Sequence, residues 1–266
     1  LFLEVNYMYI SELFTIDRAS LLEKAKKVLA VQAHPDDFEF FAGGTIAKLA
    51  QRGCEITYLT VTDGSRSTTN PKITLEKLAE TRMEEQEKAA KILGVKHLMW
   101  LGYTDSEFQP TLEARGKIIR AIRQTKPDVL MTLDPWLPYE AHPDHVNTGL
   151  ASCWAAMFSG FTNVNQEHFS EGLSPHHVST VCLAISAKYN THVDITETID
   201  LKIKALAQHK SQFQSETEVG LGPFEMWETM IKSVAEGFGR EKGMRYAEVF
   251  KVLSPLEMHS NLSFAR

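Results

Sequence analysis

The chain has 266 residues, 43% hydrophobic and 23% charged, with 15 Gly and 10 Pro, which is ordinary globular composition and enough for one large α/β domain. A net charge of -6 gives a nucleic-acid role no electrostatic support, and no apolar run approaches the roughly 18 residues of a membrane span. Residues 1–6 lack the basic and long apolar stretches of a secretory signal, and Cys54, Cys153 and Cys182 read as buried free thiols, so a cytoplasmic location is expected.

Residues 11–26 read as an amphipathic helix with Leu13, Ile16, Leu21, Leu22 and Ala25 on its apolar side. Residues 27–33 form the first strand, whose run Val28-Leu29-Ala30-Val31 is that of a buried strand. A helix over 45–52 stops at Gly53, and a strand rich in β-branched residues covers 54–62. Residues 63–71 are a Ser/Thr-rich loop, and a long helix over 74–93 ends at Gly94. A strand at 96–101, a helix at 112–124 and a strand at 128–133 follow. This alternation predicts right-handed βαβ units and a Rossmann-like, mainly parallel sheet flanked by helices. No G-x-G-x-x-G follows the first strand, and Gly43-Gly44 reads as turn geometry, so dinucleotide binding is disfavoured. Residues 162–177 are polar and loop-like. Strands at 178–185, 192–195 and 245–252, with helices at 197–209 and 225–236, make a C-terminal strand/helix extension. No repeat or linker divides the chain, so a single domain over 1–266 is expected.

The chemistry concentrates in two strings, Ala33-His34-Pro35-Asp36-Asp37 and His142-Pro143-Asp144-His145. Each follows a predicted strand, and ligands of open α/β sheets bind beyond strand carboxyl ends. His34 and Asp37 are close enough in sequence to share one metal ion, and His145 is the best third ligand. Without a C-x-x-C pair, any zinc site must use nitrogen and oxygen ligands, a set that also suits ferrous iron. Asp36 can then act as a general base on a metal-activated water. His142 can stabilise an oxyanion or protonate a leaving group. Asp144 can hydrogen-bond a histidine and fix its tautomer. Either aspartate can instead simply cap a helix that follows.

At these residues the chain resembles the PIG-L/LmbE-like family of zinc-dependent N-deacetylases. The match covers A-H-P-D-D-x-E at 33–39, H-P-D-H at 142–145, Gly43-Gly44-Thr45, Thr62-Asp63-Gly64, and Arg82 with Glu85 ahead of Ala89-Ala90 and Leu93-Gly94. Within the family it is most similar to the diacetylchitobiose deacetylase branch. That likeness lies in W-L-G-Y at 100–103 through Asp105, D-P-W-L-P-Y-E at 134–140, H-K-S-Q-F at 209–213, and residues 243–246.

The resemblance implies a hydrolase that removes acetyl from an N-acetylglucosamine unit, with zinc on His34, Asp37 and His145. It implies Asp36 as general base and His142 as the group stabilising the tetrahedral intermediate, and as a possible general acid. Arg82 and Asp105 match positions that hold sugar hydroxyls. His259 matches a histidine donated to a neighbouring subunit's site in a homo-oligomer, trimeric or hexameric. The residues alone allow plainer roles. Arg82 can be a surface partner of Glu85, Asp105 a turn residue, and His259 an exposed tail residue. His209 can line the site or serve as a helix-end cation, and Trp136 and Tyr139 can line the sugar site or simply pack. Glu39 fits the broad family but departs from the chitobiose branch. Other N-acetylglucosaminyl conjugates, a thiol-cofactor precursor or a lipid-linked sugar, are therefore the alternative substrates. A non-catalytic metal- or sugar-binding protein is the alternative class. Metal-dependent phosphoester cleavage lacks a cluster of Arg and Lys near the motifs.

Overall fold

Val28, Leu29, Ala30 and Val31 are buried on both sides, and the computed structural model, which describes residues 17–213 and 223–260, places them at the centre of a sheet. The strands are β1 (Lys27–Gln32), β2 (Glu55–Thr62), β3 (His97–Tyr103), β4 (Val129–Leu133), β5 (Thr180–Ala184), β6 (Thr191–Asp194) and β7 (Ala247–Leu253). They form one seven-stranded sheet in the order β3-β2-β1-β4-β5-β7-β6. The first five neighbours are parallel, with Ala30 of β1 between Tyr58 of β2 and Met131 of β4. β7 runs antiparallel to both β5 and β6. Side chains alternate across a strand. Val28 and Ala30 therefore join one core, and Leu29 and Val31 join the other. The mainly parallel Rossmann-like sheet with a C-terminal extension is thus present.

The helices are α1 (Arg18–Glu23), α2 (Asp37–Phe41), α3 (Gly43–Gln51), α4 (Leu75–Leu93), α5 (Leu112–Thr125) and α6 (Pro143–Phe158). They continue with α7 (Glu167–Ser170), α8 (Ile199–Leu206), α9 (Lys210–Phe213), α10 (Phe224–Arg240) and α11 (Pro255–His259). Thr74 caps α4 by accepting the Lys77 N–H, and Gly94 ends it at φ 80°. Of the helix predicted at 11–26, residues 11–16 lie outside the described residues, while Leu22 of α1 is buried in the core. The polar stretch 162–177 contains the single turn α7. All three cysteines are free and buried. Among the described residues, no helix is long and apolar enough to cross a membrane.

One departure from the sequence reading is physical. Gly43 and Gly44 are not a turn but the first residues of α3. A Cβ on Gly44 would lie 2.8 Å from three side-chain atoms of Ile195. These glycines permit close packing rather than a special dihedral. The same end of α3 is held by Glu248 of β7, whose carboxylate accepts the N–H groups of Gly44 at 3.0 Å and Thr45 at 2.7 Å. Lys202 of α8 donates to Glu248 at 2.6 Å, and both side chains are buried. The C-terminal extension is therefore tied to the first half through the Glu248 carboxylate, whose buried charge Lys202 balances.

Glu248→Ala leaves Lys202 charged and buried without its partner, and should lower the unfolding free energy by about 3–5 kcal/mol. Denaturant unfolding reads this directly. The double variant Glu248→Ala with Lys202→Met should recover part of the loss.

Candidate active site

β1 ends between β2 and β4, where the strand order reverses direction, and open α/β sheets bind ligands in the crevice beyond such strand ends. His34, Asp36 and Asp37 follow β1. His142, Asp144 and His145 begin α6, reached from β4 through residues 134–142.

Asp37 Oδ2 accepts the N–H groups of Ala33 and His34, each at 2.9 Å. Its Oδ1 lies 3.8 Å from His34 Nδ1 and 3.3 Å from His145 Nε2. Donors held tetrahedrally about 2.1 Å from a divalent ion stand about 3.4 Å apart, so these three atoms fit one metal. They fall within 4.8 Å of one another. Each ring's other nitrogen meets a carboxylate. His34 Nε2 is 3.2 Å from Asp144 Oδ2 and 3.4 Å from Asp105 Oδ1, and His145 Nδ1 is 3.2 Å from Glu140 Oε2. Such outer carboxylates fix the tautomer and aim of metal-ligating histidines. Burial alone would lower the pKa of both rings. Asp105, Asp144 and Asp37 overcome it at His34, and Asp37 and Glu140 overcome it at His145, which is raised to about 9. The surroundings therefore favour positive charge at this point.

A second set, His34, His142 and Asp144, also lies within ligand range. Asp144 is fully buried, however, and accepts the N–H groups of Ser106 at 2.7 Å and Phe108 at 3.2 Å. His142 Nδ1 accepts the Asp144 N–H at 3.3 Å, so His142, not Asp144, caps α6. Burial, followed by the charges of His34 and His145, lowers the His142 pKa and favours the neutral ring. With Nδ1 accepting, the ring proton is on Nε2.

Asp36 occupies the N-cap position of α2 but makes no side-chain cap bond. Its φ of 106° is strained for a residue with a side chain, at a cost of about 1–3 kcal/mol. Its carboxylate accepts from Arg82 Nη2 at 2.8 Å. Burial raises the Asp36 pKa, and the Arg82 guanidinium opposes the rise. Arg82 is buried on α4 and is not a surface partner of Glu85, whose carboxylate instead holds Ser211. Arg82 also donates to Gly64 O at 3.1 Å, Ser67 Oγ at 2.9 Å and Pro35 O. Gly64, at φ 63°, has no room for a Cβ, which would lie 2.6 Å from Arg82 Nη1.

The expected sugar contacts therefore divide. Arg82 and Asp105 are 2% and 3% exposed, and their polar groups are largely occupied. Asp105 accepts from Arg66 N and Ser106 Oγ, both at 3.0 Å. Trp136 is 57% exposed and Tyr139 wholly so, both on the segment that leads to Glu140. His259 is exposed at the end of α11. His209 is fully buried just past the end of α8, 3.7 Å from Glu39. Glu140 escaped the reading of the motif as a site residue. A search for an outer carboxylate for each candidate histidine would have found it five positions before His145. An apolar cavity of about 320 Å³ between α10 and β7 meets this site only at its edge, through Phe41, whose ring is 6.5 Å from that of His145.

The family described as GlcNAc-PI de-N-acetylase, PIG-L, matches residues 29–156. A diacetylchitobiose deacetylase from Thermococcus kodakarensis is 38% identical over 88% of this chain and 85% of its own length. The chain belongs to the PIG-L family. A second relative, a probable N-acetyl-alpha-D-glucosaminyl L-malate deacetylase of Bacillus anthracis, is 30% identical over 72% of this chain and 84% of its own. The solved N,N'-diacetylchitobiose deacetylase of Pyrococcus horikoshii, complexed with its inhibitor MPG, superposes with a TM-score of 0.88 at 36% identity. That superposition covers 97% of this chain and 95% of the solved one. The expectation of an N-deacetylase, a hydrolase with a His/Asp metal site, stands at the level of this PIG-L membership.

Glu140→Gln should weaken divalent-ion binding about 10- to 100-fold without unfolding the protein. Equilibrium dialysis with metal analysis measures it, and unchanged affinity would remove Glu140 from the shell around the ion.

Proposed function

We propose that the chain is a zinc enzyme that hydrolyses the N-acetyl group of an N-acetylglucosamine unit, with diacetylchitobiose as substrate and acetate as product. The observation that carries this reading is the Asp36 carboxylate, held by Arg82 beside the His34–Asp37–His145 donor set, in a chain so similar to a diacetylchitobiose deacetylase. Two imidazoles and one carboxylate with no thiolate suit zinc, and ferrous iron shares the preference.

When bound, the divalent ion would lower the pKa of a water towards ~7 and offer positive charge to the carbonyl oxygen. Asp36 takes the proton from the attacking water, and the burial that raises its pKa makes it a stronger base than an exposed carboxylate. The water oxygen bonds to the carbonyl carbon while His142 donates its Nε2–H to the oxygen that becomes negative. As the C–N bond breaks, Asp36 returns the proton to the departing amine, leaving acetate. His142, with Nδ1 committed to α6 and its pKa lowered, keeps its own proton. Asp144, Asp105 and Glu140 hold the two ligating rings. Arg82 and Asp105 thus serve the substrate through Asp36 and His34, and the exposed ring of Trp136 offers an apolar face to the sugar.

The rest of the reading is drawn from resemblance. The chain is a single cytoplasmic domain, supported by one sheet that runs through both halves. It forms a homo-oligomer, trimeric or hexameric, in which the exposed His259 reaches a neighbouring subunit's site.

Asp36→Asn should retain stoichiometric metal and lose turnover by roughly 10²- to 10⁴-fold. Near-wild-type turnover at normal metal content would remove Asp36 as the base. Acetate release from diacetylchitobiose, free N-acetylglucosamine and a glucosaminyl malate conjugate ranks the substrates. Preference for the conjugate would move the assignment to that class, and no release from zinc-loaded protein would support a binding role.

A further inference from the structure

Asp36 is gripped from two sides by one face of α4. Arg82 and Gln86 are four residues apart and therefore neighbours on the helix surface. Arg82 holds the carboxylate, and Gln86 holds the main chain, its Oε1 accepting the Asp36 N–H at 3.1 Å. Gln86 is fully buried. The same Oε1 accepts Gln32 Nε2 at 2.8 Å, and Gln86 Nε2 donates to Glu39 Oε1 at 2.9 Å. A backbone N–H can only donate, so the Gln86 atom facing Asp36 is the carbonyl oxygen. The acceptor Glu39 on the other side fixes the same orientation. Gln32 is locked in turn by Thr60 Oγ1 at 2.9 Å and by the Phe38 N–H at 3.3 Å. The amide thus bridges the ends of β1 and β2, the start of α2, and the one residue of the cluster with strained backbone, φ 106° at Asp36.

We propose that Gln86 is a positioning residue for the reaction. Its amide, oriented by Glu39, holds the left-handed backbone of Asp36 so that the carboxylate meets both Arg82 and the attacking water. This rests on Asp36 being the general base. It also gives a use to Glu39, which touches none of the reacting groups. Left to relax, the Asp36 main chain would carry its carboxylate away from the line of attack, and displacements near 1 Å cost a reaction about 10²-fold.

Gln86→Met keeps the bulk and removes both polar ends. Its kcat should fall roughly 10- to 100-fold, with KM and bound metal unchanged. In an Asp36→Asn background the same substitution should make little further difference, because residues that act as a unit are not additive. Gln86→Glu alone sets two carboxylates against each other and should be impaired. Gln86→Glu with Glu39→Gln inverts donor and acceptor while preserving each hydrogen bond, and should restore most of the rate. This pair decides the matter even if Gln86→Met does not fold. Wild-type kcat in Gln86→Met, an equal loss in the Asp36→Asn background, or a swapped pair no better than Gln86→Glu would each overturn the proposal. Failure of the base assignment would show separately, as turnover retained in Asp36→Asn itself.

Discussion

The carboxylate of Asp37 accepts two amides from the strand end the chain has just left, and the centre of the molecule is arranged around the oxygen that remains. That oxygen faces His34 Nδ1 and His145 Nε2 because each ring is turned by a carboxylate behind it. Positioning by main-chain hydrogen bonds ties the Asp37 carboxylate to the end of β1. The second string must then arrive at the right height, and the parallel pairing of β1 with β4 sets that height.

So many carboxylates in little volume are costly to bury. Asp36, Asp37, Asp105 and Asp144 lie within or beside the cluster, and among the described residues Arg82 is the one arginine whose guanidinium reaches it directly. Backbone amides satisfy much of Asp37, Asp105 and Asp144. The balance falls on the histidines, whose surroundings draw positive charge towards them. A divalent cation meets the same demand more completely than two protons, because it is shared by all three donors.

The parts of this arrangement that were legible in the sequence share one trait. Metal chemistry permits few residue types, and A-H-P-D-D and H-P-D-H place them within short spans after strands, so the grouping of His34, Asp37 and His145 within ligand range of one another could be anticipated. The strands were legible because β1, β4 and β5 are buried on both faces and are correspondingly continuous in apolar residues. Other features depend on long-range packing. Arg82 reads as a sugar contact or a surface partner of Glu85, and its bond to Asp36 emerges only once α4 lies over the strand ends. Gly43 and Gly44 read as a turn until Lys202 and Ile195, more than 150 positions away in sequence, press on them. The extent of α6 left little periodic signal because its buried residues are mostly small: Gly149, Ala151, Ser152, Ala155 and Ala156. Glu140 belongs to a loop, where no periodicity marks which side chain turns inward.

His142 has two jobs, and they compete. Its Nδ1 begins α6, a task that serine, asparagine or aspartate performs better at a helix N-cap, while the same ring lies 4.5 Å from that of His34 and 4.8 Å from that of His145, where the proposed mechanism uses it. Selection for thermal stability alone would therefore draw this position away from histidine, towards variants that fold more firmly and turn over less. Engineering this scaffold for robustness has to exempt the cap that looks easiest to improve.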